Sequence, residues 1–512
     1  MNVRRGFAAA LLLALLFGSA PAVAQDNQAP AGPPAGQTSG MELVTLPNPD
    51  SPLVSVRLLF DAGSIHDPEG KEGLASLTAL MVSQASTQKR SYTDLLEALY
   101  PLAASIDSNT DREVTIFSGE VHRDSLNAYT TLFAEALLQP AFSADDFKRN
   151  RDLLESYLTN TLRSNDELLG LEMIQEKIFQ GHPYEHHPAG TVEGLKNITL
   201  DDVKRFYKER YTQANLMLGL AGGYSNDYAA KLQKDIAAAL PKGQKGRPGL
   251  PEPRKAAGRT FTLIEKETGS VGVSFGFPLP VTRADADYYP LMVAASYLGE
   301  HRSSHGRLFQ ELREKRGLNY GNYAYIEHYF APPQTNNPTP NVPRRDQYFS
   351  VWIRPVVPAD AQFALRAGLY EVQRLHDKGL TKEEFELARD FLVNYSKLWA
   401  QSQETRLGIH MDSKRYGMPY WIDEIESRLK KLTVEDVNRA VKKHLHPDNY
   451  EAVIVTANAA QLKDTLQKDE PSPKKYNSEV APDVLEADKT ITTLKVRPTA
   501  IEIVPIGQVF QK

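Results

Sequence analysis

The sequence predicts an α+β protein made of two tandem homologous domains, each a mostly antiparallel sheet with helices packed on one face. Three observations point there. Two pairs of stretches repeat at nearly one separation: "FSADDFKRNRDLL" from Phe142 with "LTKEEFELARDFL" from Leu380, 238 apart, and "ITLDDVKRFYKERYTQANLML" from Ile198 with "LTVEDVNRAVKKHLHPDNYEA" from Leu432, 234 apart. Order and spacing are kept, which marks a duplicated domain and not a solenoid of short repeats. Each half opens on a strand-like run, continues through helical patterns and further strands, and ends on a helix and a strand, the order of a layered α+β unit.

The elements follow from local chemistry. "LVSVRLLFDAGS" (53–64) and "GSVGVSFGFPL" (269–279) open the two halves as strands. "DREVTIFSGEV" (111–121) and "DQYFSVWIRPV" (346–356) are rich in β-branched and aromatic residues and read as further strands. Ser143, Thr381, Thr199 and Thr433 each precede acidic residues and a helical pattern, the signature of a capped helix start. The segment 241–260, which opens "PKGQKGRPGLPEPRKAAGR", carries Pro and Gly without apolar periodicity and is the expected linker between domains 41–240 and 261–470. "APPQTNNPTPNVPRR" (331–345) reads as a loop inside the second domain. Residues 471–512 form a tail whose "TAIEIVPIGQVF" is expected to pair as an edge strand.

Composition bounds the class. With 41% hydrophobic and 24% charged residues the chain has the balance of a soluble globular protein, and its net charge of −5 argues against a nucleic-acid partner. "MNVRR", the apolar run "GFAAALLLALLFGSA" and the A-x-A site Ala22-Val23-Ala24 read as a signal peptide cut after Ala24, followed by a disordered tether over 25–40. The expected location is the periplasm, with no membrane association after cleavage. The absence of cysteine rules out disulfides and thiolate zinc sites.

"HPYEHH" (182–187) fits H-x-x-E-H through His182, Glu185 and His186. Such a zinc motif needs a helix, because only the i, i+4 spacing puts both imidazoles on one face. Pro183, Pro188 and Gly190 leave barely one turn, so the stretch reads as a packed turn with His186 and His187 solvated. A stand-alone zinc peptidase built on these three residues is the weakest of three functional readings.

Several stretches together resemble the pitrilysin/insulinase peptidases, family M16, over roughly residues 41–470: "DAGSIHDPEGKEGLASLTALM", "GHPYEHHPAGT" and "LFQELREKRGLNYGNYAY". The resemblance implies a clam-like pair of domains. In that family a helix reading G-L-A-H-x-x-E-H-M binds zinc through two histidines, and the glutamate between them activates water. Here Ser76 and Leu80 stand at the histidine positions, Ala79 at the glutamate, and Asn160 is assigned to the third ligand. None of these side chains makes a zinc site, so the chain is expected to bind no metal itself. The resemblance also implies that Arg313 and Tyr320, an R-x6-Y pair, contact the substrate carbonyl in trans, as two hydrogen-bond donors suited to a developing oxyanion. From spacing alone, Arg313 reads as a solvated helix end and Tyr320 as a core residue. The family's substrate-pairing strand corresponds here to Asp107, Ser108, Asn109 and Thr110, an edge that would take peptide through main-chain bonds. "GEHRSSHGRLF" (299–309) aligns with the glycine-rich loop of the non-catalytic subunit of the mitochondrial processing peptidase, but is not glycine-rich. The resemblance thus implies a non-catalytic subunit of a heterodimeric peptidase whose zinc sits in a partner chain and whose substrates are peptides. A peptide-binding or scaffold protein without proteolytic role is the alternative.

Overall fold

The first half builds its sheet from β1 (Glu42–Pro47), β2 (Leu53–Phe60), β3 (Asp107–Thr110), β4 (Thr115–His122) and β5 (Leu216–Gly222), in the order β1-β5-β2-β4-β3. The second uses β6 (Arg259–Glu265), β7 (Val271–Leu279), β8 (Gly321–Tyr325), β9 (Gln347–Val356), β10 (Tyr450–Thr456) and β11 (Ala500–Pro505), in the order β11-β6-β10-β7-β9-β8. Without β11 the two orders are the same, strand for strand. In each, one outer pair is parallel (β1 with β5, β6 with β10) and the remaining pairs are antiparallel. The duplication read from the sequence is therefore a duplication of topology. The computed structural model describes residues 41–300, 303–328 and 337–512. The signal peptide and tether expected over 1–40 lie outside the described residues, as do 331–336 of the loop in the second half. Among the described residues no helix is long and apolar enough to cross a membrane.

The helix starts are those the capping residues dictate. Thr199, Thr381 and Thr433 each accept from the backbone three residues on and complete a reciprocal capping box, and Ser143 accepts from the Asp146 amide. Each such bond satisfies an N–H that the helix leaves unpaired. The tail strand β11 adds in parallel to β6, with Ala500 opposite Thr260 and Pro505 opposite Glu265.

Helices of each half cover one face of its own sheet, as expected. The other face is covered by a helix from the opposite half. The helix Asp166–Ile178 crosses onto β7, β9 and β10, and the helix Gln403–Arg415 crosses onto β1, β2 and β5. Glycines among the residues facing these visitors let them approach closely. A Cβ at Gly276 would lie 3.2 Å from Ile178, and one at Gly219 2.6 Å from the Met411 sulfur. Alternate residues Val273, Phe275 and Phe277 point into the second half's own core. Leu407 and Met411 are fully buried on the first sheet beside Met217 and Ala221. Each such side chain contributes about 1.5–3 kcal/mol by leaving water.

Buried ion pairs complete the junction. The turn Asp111-Arg112-Glu113, between β3 and β4, is clasped from the second half. Arg344 donates to Asp111 through Nε (2.8 Å) and Nη2 (2.5 Å), and Arg345 donates through Nε to Glu113 at 3.0 Å. Arg415 bonds both Asp61 and Glu113. Burial would raise the Glu113 carboxyl, but the Arg415 and Arg345 charges hold it below its usual range.

Candidate functional site

A cavity of about 270 Å³ lies where the two halves meet. Its walls come from the helix Leu74–Ser83 (Ser76, Ala79, Leu80), the edge of β3 (Ser108, Asn109, Thr110), Leu154 and Tyr157, Glu172 on the first crossing helix, and His187-Pro188-Ala189. The second half supplies His328, Thr339, Val342 and Arg344.

The helix Leu74–Ser83 starts under a cap from outside itself. Asp67 accepts from the Gly73 and Ala75 amides, both at 2.8 Å, and from His186 Nε2 at 3.1 Å. Two of its turns then present Ser76, Ala79 and Leu80 to the cavity. The Ser76 hydroxyl donates to the Pro188 carbonyl at 2.6 Å. A methyl and an isobutyl group follow where zinc ligation would need imidazole and carboxylate. The cavity meets the next helical segment at Tyr157, the first residue of a π-helical turn, Tyr157–Leu162. Asn160, assigned from the sequence to the third-ligand position, is exposed and bonded to Ser156 Oγ at 3.1 Å. The wall residue in that region is Tyr157, three positions earlier. The difference is one of phase: a register counted across a gap of about 75 residues cannot fix which side of a helix faces inward, above all where the pitch changes to π.

The side chains present do not fit a zinc ion, and among the described residues no group of three or more His, Asp or Glu is placed to hold a metal. The H-x-x-E-H stretch lies in turns. His182 Nδ1 accepts from the Tyr184 amide at 3.1 Å, and its Nε2 faces the Pro251 carbonyl at 3.0 Å, so both nitrogens are occupied. Glu185 accepts from the Gly181 amide at 2.7 Å. The expectation that His186 and His187 are solvated is wrong: only 18% and 11% of their side chains are exposed. Pro188 and Gly190 fold this stretch back over the helix Leu74–Ser83, which buries the imidazoles. His187 Nδ1 accepts from the Ala189 amide at 2.9 Å, leaving the proton on Nε2, 3.7 Å from Glu172. Burial lowers the His187 pKa well below normal, with Arg112 adding to it, and burial raises that of Glu172. Glu172, His187, His328, Tyr157 and Arg344 were not legible as site residues in the sequence. His187 alone carried a signal, as the last letter of "HPYEHH".

Along β3, Asp107 through Thr110 pair with Ser118 through Thr115 of β4, and among the described residues the opposite edge pairs with no strand. Ser108, Asn109 and Thr110 line the cavity and Asp107 does not; Asp107 and Asn109 are both exposed. The next residue, Asp111, is the one held by Arg344.

Arg313 and Tyr320 sit elsewhere. Neither lines the cavity. Arg313 falls in a second π-helical turn, Phe309–Glu314, and Gly317, at φ +58°, reverses the chain so that its amide donates to the Arg313 carbonyl. The Arg313 guanidinium lies between the rings of Phe309 (4.7 Å) and Tyr320 (4.4 Å) and donates to the Tyr320 carbonyl at 3.1 Å. Tyr320 is 67% exposed, next to the edge strand β8. The pair is assembled and presented outward.

Comparison with known proteins bears on both regions. Residues 43–192 match the insulinase (peptidase family M16) model, and residues 197–392 match the peptidase M16 inactive domain. An uncharacterized zinc protease of Mycobacterium bovis is 26% identical over 81% of this chain and 91% of its own length. A non-peptidase homologue of Helicobacter pylori is 21% identical over 79% of this chain and 89% of its own. The crystal structure of a peptidase M16 inactive domain from Pseudomonas fluorescens superposes with a TM-score of 0.70, at 23% identity, over 81% of this chain and 95% of that one. Two family models that follow one another along the chain, and a solved structure with the same fold, place this protein in the M16 peptidase family.

Proposed function

We propose that this chain is the non-catalytic subunit of a periplasmic M16 peptidase, acting with a second chain that carries the zinc. One observation carries the reading. The chain keeps a pre-assembled pair of donors, Arg313 and Tyr320, outside its own cavity with Tyr320 exposed, while the metal positions of that cavity hold Ser76, Ala79 and Leu80. Exposed donors outside the cavity are available to a reaction centre on another molecule. A guanidinium and a phenol there would stabilise the oxyanion that forms as a peptide carbonyl is attacked. The partner would supply the zinc and the activated water, and the substrates would be peptides.

The test is reconstitution. Affinity capture of this chain should retain a zinc-bearing family member. Arg313→Ala should lower the turnover of the complex about 10²-fold, the usual cost of one oxyanion donor, with assembly unchanged. Turnover unaffected by Arg313→Ala and Tyr320→Phe together would refute the role. Zinc bound one-to-one by the isolated chain and lost on His182→Ala would replace this reading with a stand-alone peptidase.

Binding without cleavage is the second reading, favoured by the strand-free edge of β3. It requires peptide affinity that withstands chelators and does not respond to Arg313→Ala.

A further inference from the structure

The last residues of the chain leave the second half and dock in the first. After β11 on the outer edge of the second sheet, the backbone runs to a site beside the cavity wall. There the Val192 amide donates to the Phe510 carbonyl at 2.8 Å and the Glu193 amide to the Gln511 carbonyl at 3.0 Å. Arg163 adds a clamp, donating through Nε to the Val509 carbonyl at 3.0 Å and through Nη2 to that of Gly507 at 3.3 Å. Val509 and Phe510 are 2% and 4% exposed.

Two further facts give the docking a consequence. The Phe510 ring packs edge-on against His187, 6.0 Å between centroids, and His187 forms the cavity wall with Pro188 and Ala189. Phe510 also holds φ at +57°, a left-handed conformation that a side chain disfavours and that persists only where the surroundings impose it. A strained residue braces the wall from behind.

We infer that residues 506–511 are a latch: seated in the first half, they hold the wall His187–Ala189 in place against the helix Leu74–Ser83, and their release uncovers that helix. This does not depend on a zinc-bearing partner. The groove that receives the latch is by the same token a binding site for an extended peptide with an aromatic residue next to a β-branched one.

The chain has no cysteine, so a single reporter thiol reads the cavity cleanly. Ala79→Cys places it on the wall at a position 2% exposed. In the full chain, a bulky maleimide should label this thiol slowly. Adding Phe510→Ala, or Arg163→Ala as an independent way to loosen the latch, should speed labelling at least tenfold. In a chain ending at Pro505, the synthetic peptide IGQVFQK should restore slow labelling. Unchanged labelling in both point variants would overturn the latch. So would fast labelling in the shortened chain that the peptide fails to slow, because the helix would then be uncovered through loss of fold.

Discussion

Replacing Arg344 by alanine tests how the two halves are held together. The guanidinium is 2% exposed and spends its donors on Asp111, twice, and on Gln175 Oε1 at 2.8 Å. Burial alone would raise the Asp111 carboxyl, yet the Arg344 charge holds it far below its usual range. At about 4 Å between charge centres and an effective dielectric constant of about 20, that attraction is about 4 kcal/mol. Deleting one partner of a buried pair costs about 3–5 kcal/mol, since the other charge is stranded. Arg112, a second buried cation acting on Asp111, compensates in part and puts the expectation at about 3 kcal/mol. The assay is urea unfolding followed by circular dichroism, with stability taken from the midpoint at constant slope. Adding Asp111→Asn to Arg344→Met removes the stranded charge and should recover all but about 1.5 kcal/mol. A loss under about 1 kcal/mol in Arg344→Ala, or a double variant less stable than Arg344→Met alone, would refute the argument.

Three further outcomes are expected. Asp412 accepts from the Asn341 amide at 2.7 Å, and burial raises its pKa to about 6 despite the nearby Arg283 charge. A folded pKa above the unfolded one contributes stability fully below about pH 4 and loses it as pH rises through 6, so parent minus Asp412→Asn stability should fall by about 2 kcal/mol between pH 4.5 and 7.5 in urea midpoints. Asp67→Ala leaves the Gly73 and Ala75 amides without their acceptor and should cost about 1–2 kcal/mol, read in the same way. Arg313→Ala and Tyr320→Phe, both at the surface, should leave thermal unfolding within about 0.5 kcal/mol of the parent, which separates their proposed role from a structural one.

The duplication, the helix starts and several of the strands were legible because they rest on local signals: Thr199 and Thr433 cap wherever an acidic residue follows at the third position, and β-branched and aromatic runs mark strands. The candidate site was legible only in part. Ser76, Ala79 and Leu80 stand on the helix that lines the cavity, and a single helix keeps its own phase. Tyr157 and Asn160 lie beyond a long gap and a change of pitch, so the sequence could not show that Tyr157 lines the cavity while Asn160 is exposed. His187 read as solvated because nothing near it in sequence reveals what folds over it.

The sequence by itself determined that the chain is two copies of one α+β unit and that the stretch Leu74–Ser83 carries no imidazole or carboxylate, since both are properties of residue order and side-chain chemistry. Only the tertiary structure decided that each sheet is covered on its second face by the other copy's helix. Gly219, Gly272, Ser274 and Gly276 look like a solvent face in sequence, but smallness also admits a helix at close range, and which of the two occurs depends on residues about a hundred or more positions away. The same holds for the cavity, walled by Arg344 and His328 from one copy and Tyr157 and Glu172 from the other: a neighbourhood made by packing leaves no trace in the local order of the chain.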